Sequence, residues 1–485
     1  MKNNKVIEAG IGYIIGNYLI KGLTFFSIPI FTRILTPSDY GVYNTFLAYE
    51  SIIYILIGFA LHGSFKNAKY KYDIENYNSY ISNVVELIIL HTTFWLIITN
   101  ILGVTKISIF RDNIFILNCI VLYSFSMEII IVYNSYLSLE YKYKKYIIIA
   151  GINALGNILL SMLLIQTFFD KERYIGRIIG TVLPALCISI YICYKLIGKN
   201  ICRLDKTKIK WGLKYSLPIV PHGISQVILN QFDRIMINTF INSTATGIYS
   251  FAYNLFSVLS VTTTSIDTVW TPYFYEKMNE KNYGTIKKSS TLYIELIMIL
   301  CILVMAISPE LIKILGTDEF YEAVYSVAPI VTGGFFSFIY TLPSGVEYYY
   351  SKTKYIAMGT IIAGIINIIL NLFFIKKFGY IAAAYTTMIS YILYFIFHYG
   401  IAKKINKSEL FDTKIIILCS IIIIIFNFIE LFLINNIIWR VGLGTSIALF
   451  FLKKETNTLK ERLLNERIKQ KWSKRRNSKI IKKAR

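Results

Sequence analysis

The chain is short of charge, and of acid above all. Of its 485 residues 16% are charged, with 28 Asp and Glu against 51 Lys and Arg. A soluble protein keeps roughly a quarter of its residues charged, so this chain is not a string of water-bathed cores. Cysteine offers no framework. Cys119, Cys187, Cys193, Cys202, Cys301 and Cys419 contain no CxxC pair. Five fall in apolar runs and Cys202 in a basic loop, which speaks against a disulfide scaffold or a zinc site. Alternating strands of about 10 residues, the mark of a membrane β-barrel, are missing. So is a small-residue cleavage site after the basic head and apolar run MKNNKVIEAGIGYIIGNYLIKGLTFF, which reads as an uncleaved first span.

What is present is apolar length. Hydrophobic residues make up 55% of the chain, and the mean hydropathy is +0.54. They come in blocks of roughly 20, the helical length that spans about 30 Å of hydrocarbon. The expected fold class is an all-α polytopic membrane protein. Fourteen candidate spans lie near 9–31, 41–62, 81–102, 114–135, 146–168, 175–197, 213–240, 247–271, 289–308, 324–346, 355–375, 380–400, 414–434 and 437–452.

Charge placement tests this map. With the N-terminus in the cytoplasm, 39 Lys and Arg fall in cytoplasmic segments. Nine fall outside: Arg33, Lys106, Arg111, Lys171, Arg173, Arg177, Lys313, Lys376 and Lys377. Lys21, Arg234 and Arg440 lie in spans or at their ends. Losing one span would invert every later loop, so both termini are expected inside. The net charge of +23 is then a topology signal, not a nucleic-acid footprint. The longest outer loop, Pro309 to Ala323, has no room for an extracellular catalytic domain, and no enzyme is expected.

A faint repeat runs through the chain. Gly41-Val42-Tyr43 matches Gly247-Ile248-Tyr249, Ile152-Asn153-x3-Asn157 matches Ile366-Asn367-x3-Asn371, and Tyr174-Ile175 matches Tyr380-Ile381, at offsets of 206, 214 and 206. Six spans per copy give both copies one orientation, a parallel repeat about the membrane normal. The expected organisation is a six-helix bundle over 1–200, a second over 201–404, two additional helices over 405–452, and a basic cytoplasmic tail over 453–485. In the tail, Leu464, Ile468 and Trp472 suit either an amphipathic helix on anionic inner-leaflet lipids or a solvated extension.

Phe26 to Asn44, FSIPIFTRILTPSDYGVYN, resembles the polysaccharide-type (Wzx-like) flippases of the multidrug/oligosaccharidyl-lipid/polysaccharide exporter superfamily. Thr32, Arg33, Leu35, Asp39, Tyr40, Gly41 and Tyr43 carry the likeness. Asp233-Arg234-x-Met236-Ile237, Gly247 to Ser250 and Trp270 to Phe274 extend it. The resemblance implies two bundles that alternate between inward and outward openings in a bacterial plasma membrane. It implies a lipid-linked oligosaccharide on undecaprenyl diphosphate as substrate, for O-antigen, capsule or exopolysaccharide. Polysaccharide assembly proteins would be further partners, and no cofactor is implied.

Buried charge points to a site, because a charge at mid-membrane costs on the order of 2.5–3.5 kcal/mol. Lys21 shares a helix face with Asn17 and Thr24. It suits a substrate diphosphate, or an ion pair with Glu50. Ser216 to Ser250 is apolar enough to enter a membrane, yet its predicted span carries His222, Gln226, Asn230, Gln231, Asp233 and Arg234. His222, Gln226, Asn230 and Asp233 share one face of it and are expected to line a cavity. Arg234 suits a diphosphate through paired hydrogen bonds, or the outer interface as a snorkelling cation. Glu50, Glu128 and Asp267 suit ion coupling, or pairing with lysines. A cation-coupled drug exporter of the same superfamily is the alternative function; a cavity dominated by carboxylates would favour it.

Overall fold

The computed structural model describes residues 2–104, 113–197, 204–454 and 456. Lys106, Arg111, Cys202 and the tail positions Leu464, Ile468 and Trp472 lie outside them. Among the described residues the chain is helical, with no strand. The helices are α1 Lys2–Ile34, α2 Pro37–Gly58, α3 Phe65–Lys71, α4 Ile74–Val104, α5 Ile114–Leu139, α6 Tyr143–Thr167, α7 Arg173–Ile197, α8 Lys206–Ser216 and α9 Val220–Phe240. There follow α10 Ser243–Asn279, α11 Tyr283–Leu315, α12 Val324–Ile339, α13 Thr341–Tyr349, α14 Thr353–Phe378, α15 Ile381–Ile405 and α16 Thr413–Phe432. A last helix, α17, covers 437–454.

The expected all-helical membrane class is the one found. Each predicted span overlaps a helix. Among the described residues ten helical stretches are long and apolar enough to cross a bilayer, or eleven if α2 and its continuation Leu61–Lys71, bent by 50°, form one span. That is fewer than the fourteen expected, and α9 and α10 are among those that fall short. Their polar residues lower the hydropathy although the helices have the length.

The chain divides into two compact units. The first holds Met1–Ser265 and Glu310–Asn406, the second Ile266–Pro309 and Lys407–Arg485. In the first, α2, α4, α5 and α7 build a core around Phe46, Tyr80, Val84, Ile120, Val132 and Ile178. α6 packs on α7 yet exposes Ile148, Ile152, Leu155, Leu159 and Leu163, a stripe suited to lipid as solvent. Helix starts are set locally. Thr36 Oγ1 accepts from Asp39 N at 3.1 Å and Asp39 Oδ2 accepts from Thr36 N at 3.2 Å, with Pro37 at the first turn of α2. This reciprocal cap explains the Thr-Pro-Ser-Asp run.

The N-terminal ends of α2 and α10 cross backbone to backbone. A Cβ on Gly41 would lie 1.7 Å from the Ser243 carbonyl oxygen, and one on Gly247 would lie 1.9 Å from that of Pro37. Gly41 and Gly247 are also a matched pair in the expected repeat. Around the crossing, Ser38 and Ser243 share a hydroxyl hydrogen bond of 2.7 Å, and Asn254 Nδ2 donates to Tyr40 Oη. Thr32 Oγ1 donates to Leu315 O at 2.6 Å and Arg33 Nη2 to Ile314 O at 3.0 Å. Gly41→Ala and Gly247→Ala are each expected to cost about 1–3 kcal/mol, the usual range for overpacking. The check is the melting temperature in detergent; an unchanged melt would mean the helices do not meet this closely.

In the second unit, the wholly buried Arg440 donates Nε to Ala306 O at 2.7 Å and Nη1 to Leu433 O at 3.0 Å and to Ile434 O. The last two are carbonyls after the end of α16, which a cation satisfies well. Trp270 is buried in an aromatic cluster with Phe274 and Tyr293, centroids 5.6 and 5.4 Å away. α16 and α17 also border an apolar groove of about 600 Å³.

Candidate functional site

The first unit contains a cavity of about 570 Å³ walled by α1, α2, α7 and α10. α1 presents Lys21 and Thr24 to it, α2 Tyr40 and Asn44, α7 Arg177, and α10 Asn254. Among the described residues no carboxylate lines it. Lys21 and Arg177 are therefore two cations facing a chamber of amides, hydroxyls and aromatic rings.

Arg177 is held with care. It is 7% exposed. Its guanidinium lies between two rings, 3.7 Å from the Phe31 centroid and 4.4 Å from that of Tyr43. Nη1 donates to Asn157 Oδ1, to Ser161 Oγ at 2.8 Å and to Thr181 Oγ1 at 3.4 Å. Stacking and neutral acceptors fix the group's orientation and leave its charge uncompensated. Among the described residues no carboxylate pairs with Arg177 or with Lys21. A buried cation without a counter-ion is costly, and a bound anion removes that cost.

Arg177 was counted above as an outer-loop cation. It lies instead on the first turns of α7, buried against α6. The signal for this was Gly176-x3-Gly180, which flanks it. A Cβ on Gly180 would lie 2.5 Å from Ser161 backbone atoms, and one on Gly176 3.1 Å from Ile165 N. A residue flanked by such a close helix contact is packed against the neighbouring helix and not free to reach the interface.

The predicted face of α9 exists, but it meets helices. His222 Nδ1 and Thr360 Oγ1 are 3.0 Å apart. Gln226 Nε2 reaches Tyr394 Oη at 3.4 Å, and Tyr391 Oη donates to Asn230 Oδ1 at 2.8 Å. Asp233 is fully buried. It accepts from Tyr249 Oη at 2.6 Å, Thr387 Oγ1 at 2.7 Å and Asn371 Nδ2 at 2.6 Å. Arg234 stacks on Tyr253 at 4.6 Å and donates to Asn230 O at 2.7 Å. None of these five lines the cavity that holds Lys21. Asn17, expected beside Lys21, accepts from Tyr146 Oη and lines a separate cavity of about 450 Å³ with His62 and Lys66.

The acidic candidates are dispersed. Glu50 is 8% exposed and makes no ion pair among the described residues, so the Lys21–Glu50 pair is not formed. Glu128 is buried with Oε1 3.2 Å from His62 Nδ1. Asp267 is half-buried in the second unit.

Two similar sets of side chains surround opposite charges. Tyr43, Asn157 and Thr181 surround Arg177, and Tyr43 Oη meets Thr181 Oγ1 at 3.2 Å. Tyr249, Asn371 and Thr387, which follow them at the offsets of 206, 214 and 206 seen in the sequence matches, surround Asp233.

Comparison with known proteins follows this geometry. The profile of the polysaccharide biosynthesis protein family matches residues 7–278. The Lsg locus putative protein 1 of Haemophilus influenzae is 22% identical over 427 residues, covering 83% of this chain and all of that one. Among solved structures, lipid II flippase MurJ in an inward closed conformation superposes with a TM-score of 0.71 at 16% identity, covering 93% of this chain and 99% of that one. An inward-facing multidrug resistance MATE family transporter of the MOP superfamily gives 0.59 at 15% identity, covering 80% and 95%. These likenesses show a shared fold.

Proposed function

The chain belongs to the polysaccharide biosynthesis protein family, and from that premise we propose that it is a flippase. It carries undecaprenyl-diphosphate-linked oligosaccharide repeat units from the cytoplasmic to the outer face of a bacterial plasma membrane. It works by alternating access of its two six-helix halves and catalyses no covalent step. The observation that carries this reading is the cavity with Lys21 and Arg177 and no carboxylate. A diphosphate brings the charge those cations lack, and Arg177 offers it a rigid planar donor. Asn44 and Asn254 suit sugar hydroxyls. The cavity's composition argues against a cation-coupled drug exporter, which would gather acid where this chain gathers base.

Lys21→Ala is expected to lower transport about tenfold or more, the effect of removing a charged hydrogen bond of roughly 1.5–3 kcal/mol. Arg234→Ala, outside the cavity, is expected to cost less. The measurement is complementation of a depleted strain at matched protein level, with mass spectrometry of the lipid-linked intermediates on each leaflet. Depletion should trap intermediates on the cytoplasmic leaflet. Unchanged surface glycan and no trapped intermediate would sink the flippase reading. Drug resistance on overexpression, with normal glycans, would favour the exporter.

A further inference from the structure

The second repeat buries a carboxylate–imidazole pair that the cavity does not use. Glu347 lies on α13, which continues the span of α12 through Tyr340, and His398 lies on α15. Glu347 Oε1 and His398 Nδ1 are 2.7 Å apart, and both side chains are fully buried. Glu347 Oε2 and His398 Nε2 have no hydrogen-bond partner among the described residues. Nε2 faces Gly359, where a Cβ would come within 2.7 Å of it.

Among the described residues no Lys or Arg forms an ion pair with Glu347. From α12 and its end, Tyr340 packs on the imidazole at 5.7 Å between centroids; from α15 itself, Tyr394 packs at 4.6 Å and Phe397 at 5.3 Å. α14 contributes Gly359 and Thr360, and α9 contributes His222. The titratable groups facing the pair are thus Tyr340, Tyr394 and His222. Thr360 Oγ1 joins His222 Nδ1 at 3.0 Å to Tyr394 Oη at 2.9 Å. Hydroxyls that both donate and accept thus link the half-buried His222 to the ring that packs on His398.

Proton counting gives this cluster its meaning. With one proton the pair is neutral, with none it carries −1, and with two it carries +1. Only the neutral form is cheap in a dry interior. A purely structural pair would have its outer atoms satisfied as well. Here one polar atom on each partner is bare. Intramembrane acids and histidines in such chains mark proton relays.

We propose that Glu347 and His398 form a proton-coupling site of this transporter. The deprotonated pair, net −1, takes up one H⁺ to become neutral while sealed. It releases the same H⁺ to water when the transport cycle opens it, with His222, Thr360 and Tyr394 leading toward it. The coupling rests on the transport reading above; the proton site does not.

Two arms test it. Infrared difference spectra of the purified full chain between about pH 5 and about pH 8 should contain a carboxylic acid band that Glu347→Gln lacks and His398→Gln shifts. Identical spectra in all three proteins would overturn the site. The double exchange Glu347→His with His398→Glu keeps the pair and should keep a titrating acid, which guards against a variant that merely misfolds. In proteoliposomes with a fluorescent polyprenyl-diphosphate sugar as probe, one pH unit across the membrane should bias the wild-type leaflet ratio about tenfold, the worth of one proton per cycle. Glu347→Gln should exchange the probe without bias. Wild-type exchange indifferent to the gradient would overturn coupling. No wild-type exchange at all would instead count against the flippase reading, while the infrared arm still decides the site.

Discussion

Arg177→Ala is expected to abolish transport while the protein still reaches the membrane. The guanidinium is the one buried cation facing the cavity, fixed between Phe31 and Tyr43 and held by Asn157, Ser161 and Thr181. Removing one side of a buried, hydrogen-bonded charge contact costs about 2–5 kcal/mol. At 1.4 kcal/mol per decade that is a loss of roughly 30- to 3,000-fold. Arg177→Lys keeps the charge but not the plane that stacks between the rings, so it should recover only part of the activity. Leaflet-resolved assay of the lipid-linked substrate, at matched expression, measures both. Full surface glycan from Arg177→Ala at wild-type protein level would remove the cavity from the mechanism.

Asp233→Ala is expected to fail differently, as a folding defect. The carboxylate is fully buried and takes hydrogen bonds from Tyr249, Thr387 and Asn371, which come from three other helices. Deleting it strands three donors and leaves a void. The expected cost is about 3–5 kcal/mol, as for breaking a buried charged contact. Asp233→Asn should cost less, because the Tyr249 and Thr387 hydroxyls can turn and accept from the new amide; the Asn371 amide still finds an oxygen. The readouts are yield after extraction and melting temperature in detergent. If Asp233→Ala melts like wild type but does not transport, Asp233 acts on the substrate, as its place on a polar face of α9 first suggested.

The class of fold was legible because bilayer thickness dictates apolar blocks of fixed length. Of the three short sequence matches, Tyr43, Asn157, Tyr249 and Asn371 are residues that frame the two buried charges. The sequence did not say what a polar helix face meets. His222, Gln226, Asn230 and Asp233 do share a face, as their spacing predicts, but α14 and α15 answer it with Thr360, Asn371, Thr387, Tyr391 and Tyr394. Those partners sit more than 120 residues away in sequence, and one chain read alone gives no pairing. Lys21 was found because it interrupts an apolar run at mid-span. Arg177 was missed because it sits near a helix end, where an arginine ordinarily reaches the interface. Glu347 and His398 sit near the ends of their spans and pass as interfacial residues until their burial is seen.

On the alternating-access reading proposed above, the glycine crossing at the N-terminal ends of α2 and α10 sets an energy scale for switching. Two hydrogen bonds join the helices there: Ser38 to Ser243 and Tyr40 to Asn254. At about 1 kcal/mol net each, they are worth about 2 kcal/mol. Moving a two-state equilibrium from 1:99 to 99:1 takes about 5.5 kcal/mol of differential binding, so a head group with that much preference would outweigh them. Tyr40 and Asn254 belong to both the crossing and the cavity wall, so a ligand in the cavity would bear directly on the crossing.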